Sequence, residues 1–130
     1  MAIEIFNVLT YDTVKQQNVL VTEFEPTYQG VATLSTPLRE AGQYETGFSL
    51  TYVSTDAASD VFFRFRINGG GWNVFQVETV SITDEIPWYY AYPSGLAAGV
   101  NTIEFEMAKQ TGHTGTLTAL FVDVFLKRVG

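Results

Sequence analysis

Cysteine is missing from all 130 residues, which excludes disulfides, thiolate metal sites and a cysteine nucleophile and leaves the redox compartment open. Stability has to come from packing and strand pairing. Basic residues are scarce: seven Lys and Arg stand against fourteen Asp and Glu, a formal net charge of −7, so the chain repels phosphate backbones and direct nucleic-acid binding is not expected. No apolar run approaches the roughly 20 residues of a membrane span. The opening M-A-I-E-I-F-N-V has neither the basic start nor the long apolar core of a secretory leader. The expectation is a soluble protein made in the cytoplasm, with no membrane insertion. What the chain has in quantity is aromatic side chains, at 15% against only 16% charged residues. For a small domain that must keep its surface wet, this balance points to aromatic area facing a partner or another subunit.

No segment sustains the i, i+3, i+4, i+7 spacing of an amphipathic helix. Short alternating runs separated by Gly, Pro, Ser, Asp and Asn predict an all-β chain. The expected strands are Ala2 to Leu9, Asn18 to Phe24, Gly30 to Leu34, Tyr44 to Val53, Asp60 to Ile67, Asn73 to Thr83, Trp88 to Tyr92, Val100 to Ala108 and Thr116 to Lys127. Eight or nine strands fit two packed antiparallel sheets. A chain of this length is one domain, 1–130, and can remove roughly two-thirds of its unfolded surface from water.

Three strands carry most of the information. From Ala41 to Val53 the run A-G-Q-Y-E-T-G-F-S-L-T-Y-V places Tyr44, Thr46, Phe48, Leu50 and Tyr52 on one face. The run from Val61 places Val61, Phe63, Phe65 and Ile67 on a core face and Arg64 and Arg66 on a wet one, where pairing with Glu104 or Glu106 of a neighbouring strand is expected. In the last run, strict alternation gives Thr118, Leu120, Val122, Val124 and Leu126 on one side and Leu117, Ala119, Phe121, Asp123, Phe125 and Lys127 on the other. Both sides are largely apolar, which is consistent with Phe121 and Phe125 being buried against a neighbouring subunit, or under a loop or the N-terminal strand of the same chain. Between strands, N-G-G-G (Asn68 to Gly71) predicts a tight hairpin turn. Lys109 to Thr116 reads as a second hairpin tip, Ser54 to Asp60 as an exposed connection, and Pro37 as part of a connection.

Chemistry is thinly represented. His113 is the sole histidine, and its place in a polar tip predicts a solvated loop residue unsuited to a Ser-His-Asp arrangement. Carboxylates alone would have to supply nearly every ligand of a zinc site. Asp84 with Glu85 and Glu104 with Glu106 are the visible acid pairs for glycoside hydrolysis. Solvation is the better account of Glu104 and Glu106, because Ile103, Phe105 and Met107 fill the opposite face. Asp56 and Asp60 lack the dense oxygen-ligand spacing of a calcium loop. No enzymatic activity, metal or cofactor is expected.

The segments A-G-Q-Y-E-T-G-F-S-L-T-Y (Ala41 to Tyr52), F-F-R-F-R-I-N-G-G (Phe62 to Gly70) and L-F-V-D-V-F-L-K-R-V (Leu120 to Val129), with W-Y-Y-A-Y-P (Trp88 to Pro93) and G-V-N-T-I-E-F-E (Gly99 to Glu106) between them, resemble the TNF/C1q-like jelly-roll proteins of tailed-phage virions. The resemblance spans 37–130, while 1–36 supplies N-terminal strands and a candidate docking segment. It implies a single-domain antiparallel jelly-roll β-sandwich that forms a homotrimer, with Tyr52, Trp88, Tyr90, Phe121 and Phe125 as candidates for the subunit interface. Such proteins serve as capsid decoration or head-fibre proteins, which implies a place on the capsid exterior and a major capsid protein or other virion protein as partner. Ile3, Ile5, Phe6, Val8 and Tyr11 are the candidate shell-docking residues, because termini often provide adaptable docking segments. The alternative is a carbohydrate-binding or receptor-binding module, tail-fibre tip or lectin-like, with a host-surface glycan as ligand and Trp72, Trp88, Tyr89, Tyr90 and Tyr92 as an aromatic platform.

Overall fold

A computed structural model describes residues 11–79 and 84–129. Eight strands run β1 (Tyr11–Val21), β2 (Gln29–Ser35), β3 (Gly42–Ser54), β4 (Asp60–Ile67), β5 (Asn73–Glu78), β6 (Ile86–Leu96), β7 (Thr102–Lys109) and β8 (Leu117–Arg128). They form two four-stranded antiparallel sheets, in the orders β1-β8-β3-β6 and β2-β7-β4-β5. Except for the β4–β5 hairpin, consecutive strands lie in opposite sheets, and the first and last strands pair with each other. This wrapping is the jelly roll. The expected strand Ala2 to Leu9 and the end of Asn73 to Thr83, at 80–83, lie outside the described residues.

The core sits between the sheets. Tyr44, Thr46, Phe48, Leu50 and Tyr52 all point inward from β3 and are essentially inaccessible, as alternation from the turn glycine predicts. Opposite them stand Val61, Phe63 and Phe65 of β4 and Ile103, Phe105 and Met107 of β7. Phe48 is the hub, in contact with the rings of Phe63, Phe65, Phe75, Tyr90 and Phe105, the last with centroids only 4.7 Å apart. Truncating such a residue to Ala costs about 3–5 kcal/mol. The N-G-G-G turn forms as expected: Asn68 and Gly69 take φ of 51° and 70°, and the Gly70 amide donates to the Ile67 carbonyl at 3.0 Å. Two successive positive φ angles match the right-handed twist of the flanking strands.

Four expectations need correction. The first described strand begins at Tyr11, seven residues before Asn18. Y-D-T-V-K-Q-Q looks too polar for a strand, but β1 is an edge strand whose outward residues face solvent. Strand β6 runs through Pro87 and Pro93, because at a sheet edge a proline forfeits only a donor on the open side. The Lys109 to Thr116 segment is no hairpin tip, since it carries the chain from β7 in one sheet to β8 in the other.

The fourth correction concerns the last strand. Thr51 of β3 pairs with Phe121 and Tyr52 with Ala119, so Leu120 is an extra residue, a β-bulge. Asn18 lies across from it on β1, in the left-handed region that asparagine tolerates. The bulge switches the parity of β8: Leu117 and Ala119 point inward before it, and Val122, Val124 and Leu126 after it. Both sides of the sequence look apolar because the inward face changes sides.

Candidate functional site

Register across β1, β8, β3 and β6 arranges the outward side chains of this sheet as a grid. Its four rows read Tyr11–Lys127–Glu45–Pro93, Thr13–Phe125–Gly47–Ala91, Lys15–Asp123–Ser49–Tyr89 and Gln17–Phe121–Thr51–Pro87. The small neighbours Gly47 and Ala91 leave room for the Phe125 ring to lie flat. Tyr11 stacks on one side of it, with centroids 6.3 Å apart and planes at 4°, and Tyr89 on the other, at 6.0 Å and 16°. Phe125 is thereby 95% covered although it faces outward, while Tyr11 and Tyr89 remain 56% and 62% exposed. The outcome is a three-ring ladder crossing the sheet. Gly47 is sterically required, since a Cβ there would fall 1.9 Å from the Tyr90 carbonyl oxygen.

Two rows from Phe125, the bulge pushes Phe121 outward, where it is 53% exposed. A half-open groove of about 160 Å³ lies beside it, lined by Lys15, Gln17, Ser49, Phe121 and Asp123 among others. The Lys15 ammonium is 3.4 Å from the Asp123 carboxylate, which also accepts a hydrogen bond from the Thr13 hydroxyl. The Lys127–Glu45 pair, at 3.3 Å, balances the first row. This face is therefore close to neutral on a chain of net charge −7.

The interface and docking candidates fall in different places. Phe121 and Phe125 share the outer face, Phe125 in the ladder and Phe121 at the groove. Tyr52 is turned the other way: it is fully inaccessible in the core, so its ring is already occupied within the chain. Trp88 and Tyr90 also face inward, packed against the core cluster. Of the docking candidates, Tyr11 joins the ladder, while Ile3, Ile5, Phe6 and Val8 lie outside the described residues. The sugar platform is not assembled as expected, because Trp88, Tyr90 and Tyr92 pack on the core and Trp72 stacks on arginines of the other sheet. Tyr89 alone of that group is exposed on the ladder face. The ladder itself escaped the sequence, because Tyr11, Tyr89 and Phe125 meet only through a register that no single strand encodes.

On the opposite outer face the acid pairing holds as expected. Arg64 donates to Glu106 from Nε and an Nη at 2.8 and 2.6 Å, and Arg66 to Glu104 at 2.9 and 3.2 Å. Arg64 also lies between the Tyr28 and Trp72 rings, 4.0 Å from each centroid, and Arg66 is 4.2 Å from Trp72.

His113 departs from expectation, being only 5% exposed. Its Nδ1 is 3.1 Å from the Gly115 carbonyl, which can only accept, so Nε2 accepts from the Ser54 hydroxyl at 2.9 Å. Asp56 accepts from the Ala58 and Thr114 amides and the Ser59 hydroxyl. These bonds hold its pKa down to about 2, the Thr114 amide contributing most. Burial pushes the His113 pKa below its ordinary value. Ser54 is itself inaccessible, so this Ser-His contact staples loops together and offers no route for a substrate. Among the described residues there is no cluster of three or more metal-ligating side chains and no helix long and apolar enough to cross a membrane.

Neither a family model nor a curated protein matches the sequence. Similarity appears at the level of structure. A structure of infectious bursal disease virus, Gx strain, superposes with a TM-score of 0.64 at 7% identity, covering 95% of this chain and 33% of that one. The likeness shows a shared fold. This chain spans about a third of the viral one. A family 35 carbohydrate binding module from Clostridium thermocellum matches with a TM-score of 0.38 at 15% identity, over 90% of this chain and 97% of the module.

Proposed function

We propose that the protein is a non-enzymatic virion structural protein of a tailed phage, a homotrimer of the capsid decoration or head-fibre type that binds the outer shell. The observation that carries this reading is the ladder face: three stacked rings, two of them more than half exposed, on a sheet whose charges cancel. A chain of charge −7 resists self-association wherever its surface is acidic, and this neutral aromatic face is where copies can approach. Burying exposed Tyr and Phe area at about 25 cal/mol per Å² would stabilise the contact. The jelly-roll likeness to a viral structure supports a virion role at the level of fold.

Native mass by light scattering over a dilution series tests the assembly, and co-sedimentation with purified shells of the parent virus tests the docking. A persistent trimer that shifts to monomer in a Tyr11→Ser/Tyr89→Ser variant is expected. A stable wild-type monomer, or folded protein that ignores the shells, overturns the reading. The second reading is a carbohydrate- or receptor-binding module, and the groove beside Phe121 favours it.

A further inference from the structure

We propose that the groove between β1, β8 and β3 binds one neutral pyranose ring, with Phe121 as its stacking platform and Asp123, Gln17 and Ser49 as its hydroxyl contacts. This site deepens the second reading and rests on it for the class of ligand.

Size comes first. The groove's roughly 160 Å³ is close to the ~150 Å³ cavity that accepts a benzene ring, so one six-membered ring fits within it. Chemistry then selects among rings. A wholly apolar ring would leave the Lys15 ammonium and the Asp123 carboxylate covered without new partners, which is unfavourable. A pyranose carries axial C–H groups on one face, suited to the exposed Phe121 ring, and hydroxyls around its rim. Those hydroxyls find both kinds of partner: the Asp123 carboxylate accepts, the Lys15 ammonium donates, and Gln17 and Ser49 do either. Hydrogen bonds to charged groups are the stronger ones.

Charge selects further. Lys15 is held by Asp123 at 3.4 Å, so no free cation waits for an acidic sugar, and the −7 chain repels anions at longer range. The ligand is therefore a neutral pyranose. The β8 bulge builds the site, because without Leu120 as the extra residue Phe121 would point into the core. Phe121 lies two rows from Phe125 on the grid, and glycoside binding is read by a signal separate from native mass.

Saturation-transfer NMR against the methyl pyranosides of glucose, galactose and mannose, at millimolar concentration, tests the proposal, with native mass measured on the same samples. Transfer to the ring C–H protons of at least one glycoside is expected. Phe121→Ala and Asp123→Asn should each weaken that binding about ten-fold or more. No transfer from any glycoside to the wild type overturns both the site and the second reading. Binding that survives in Phe121→Ala overturns the site and leaves the second reading standing. If Phe121→Ala fails to give a cooperative melt, Gln17→Ala decides by the same ten-fold criterion. A wild-type monomer that binds sugar supports the site while removing the trimer.

Discussion

The two outer faces of the sandwich answer one problem, a half-covered antiparallel sheet, in opposite ways. On the β2-β7-β4-β5 sheet, two arginines each hold a glutamate across the strand, and tyrosine and tryptophan rings cover their guanidinium planes. Both arginines there have partners, and the aromatic area is spent on cations of the same chain. On the β1-β8-β3-β6 sheet the rings stack on one another, and Tyr11, Tyr89 and Phe121 keep more than half their surface open. A sheet finished with internal charge pairs has little left to offer a partner. A neutral sheet with exposed rings keeps its interaction capacity, which is why we propose both assembly and ligand binding for it.

The largest effect should come from the glycine beneath the ladder. In Gly47→Val the new side chain meets the β6 backbone, with Tyr90 O and Ala91 Cα at 1.9 and 2.8 Å from the Cβ alone. The pairing of β3 with β6 must part, carrying Tyr89 away from Phe125. Chemical denaturation should show a loss of about 3 kcal/mol or more, and self-association should fall with it. Unchanged stability would mean that the ladder does not depend on close approach of these strands.

Arg64→Ala is the matching test on the finished face. It leaves the Glu106 carboxylate without its 2.6 and 2.8 Å donors and uncovers Tyr28 and Trp72. With the pair part-exposed, a loss of about 2 kcal/mol is expected, combining an ion pair in which two guanidinium donors share one carboxylate oxygen with two cation–π contacts. Native mass should not change. A change in mass would break the comparison by showing that the arginine face also takes part in assembly.

How legible these faces were differs for physical reasons. The core face of β3 and the Arg–Glu pairing of β4 with β7 follow from period-2 alternation, so Phe48, Arg64 and Glu106 were readable from local sequence. The ladder depends on pairing between strands far apart in the chain, from Tyr11 to Phe125, and alternation carries no register. Phe121 was readable as an oddity and its cause was not, because a bulge is one residue's change of parity set by the partner strands. Tyr52 was misplaced because an interface tyrosine and a core tyrosine have the same local pattern. His113 was misjudged because polar neighbours describe the loop's composition and not its packing against Ser54.

Mild acid should act first on neither face but on the loops that join the sheets. His113 has its folded pKa lowered by burial, so the unfolded chain binds a proton more readily. The stability that neutral His113 contributes is fully present above its unfolded pKa of about 6.5 and is lost as pH falls through the depressed folded value. Asp56 adds a second loss only further down, from about 3.8 toward about 2. Denaturation midpoints from pH 8 to 4.5 should fall across the histidine window in wild type and flatten in His113→Gln, with the melt still cooperative. Equal slopes in the two proteins would move the acid-sensitive element elsewhere.

The smallest expected effect sharpens the contrast between the faces at the level of a single ion pair. Lys15 lies 3.4 Å from Asp123, but its own side chain is 69% exposed, and an exposed pair of this kind is worth about 0.5 kcal/mol or less and is screened by salt. Lys15→Gln should therefore shift the denaturation midpoint barely measurably at 0.15 M salt and not at all at 1 M. If the face acts as a neutral surface between copies, the same substitution should weaken self-association more than it weakens folding, because it leaves Asp123 uncompensated inside a contact that excludes water. Association unaffected by Lys15→Gln, in a protein that still forms trimers, would place the contact on the Tyr11, Phe125 and Tyr89 rings alone and leave the Lys15–Asp123 pair open to solvent.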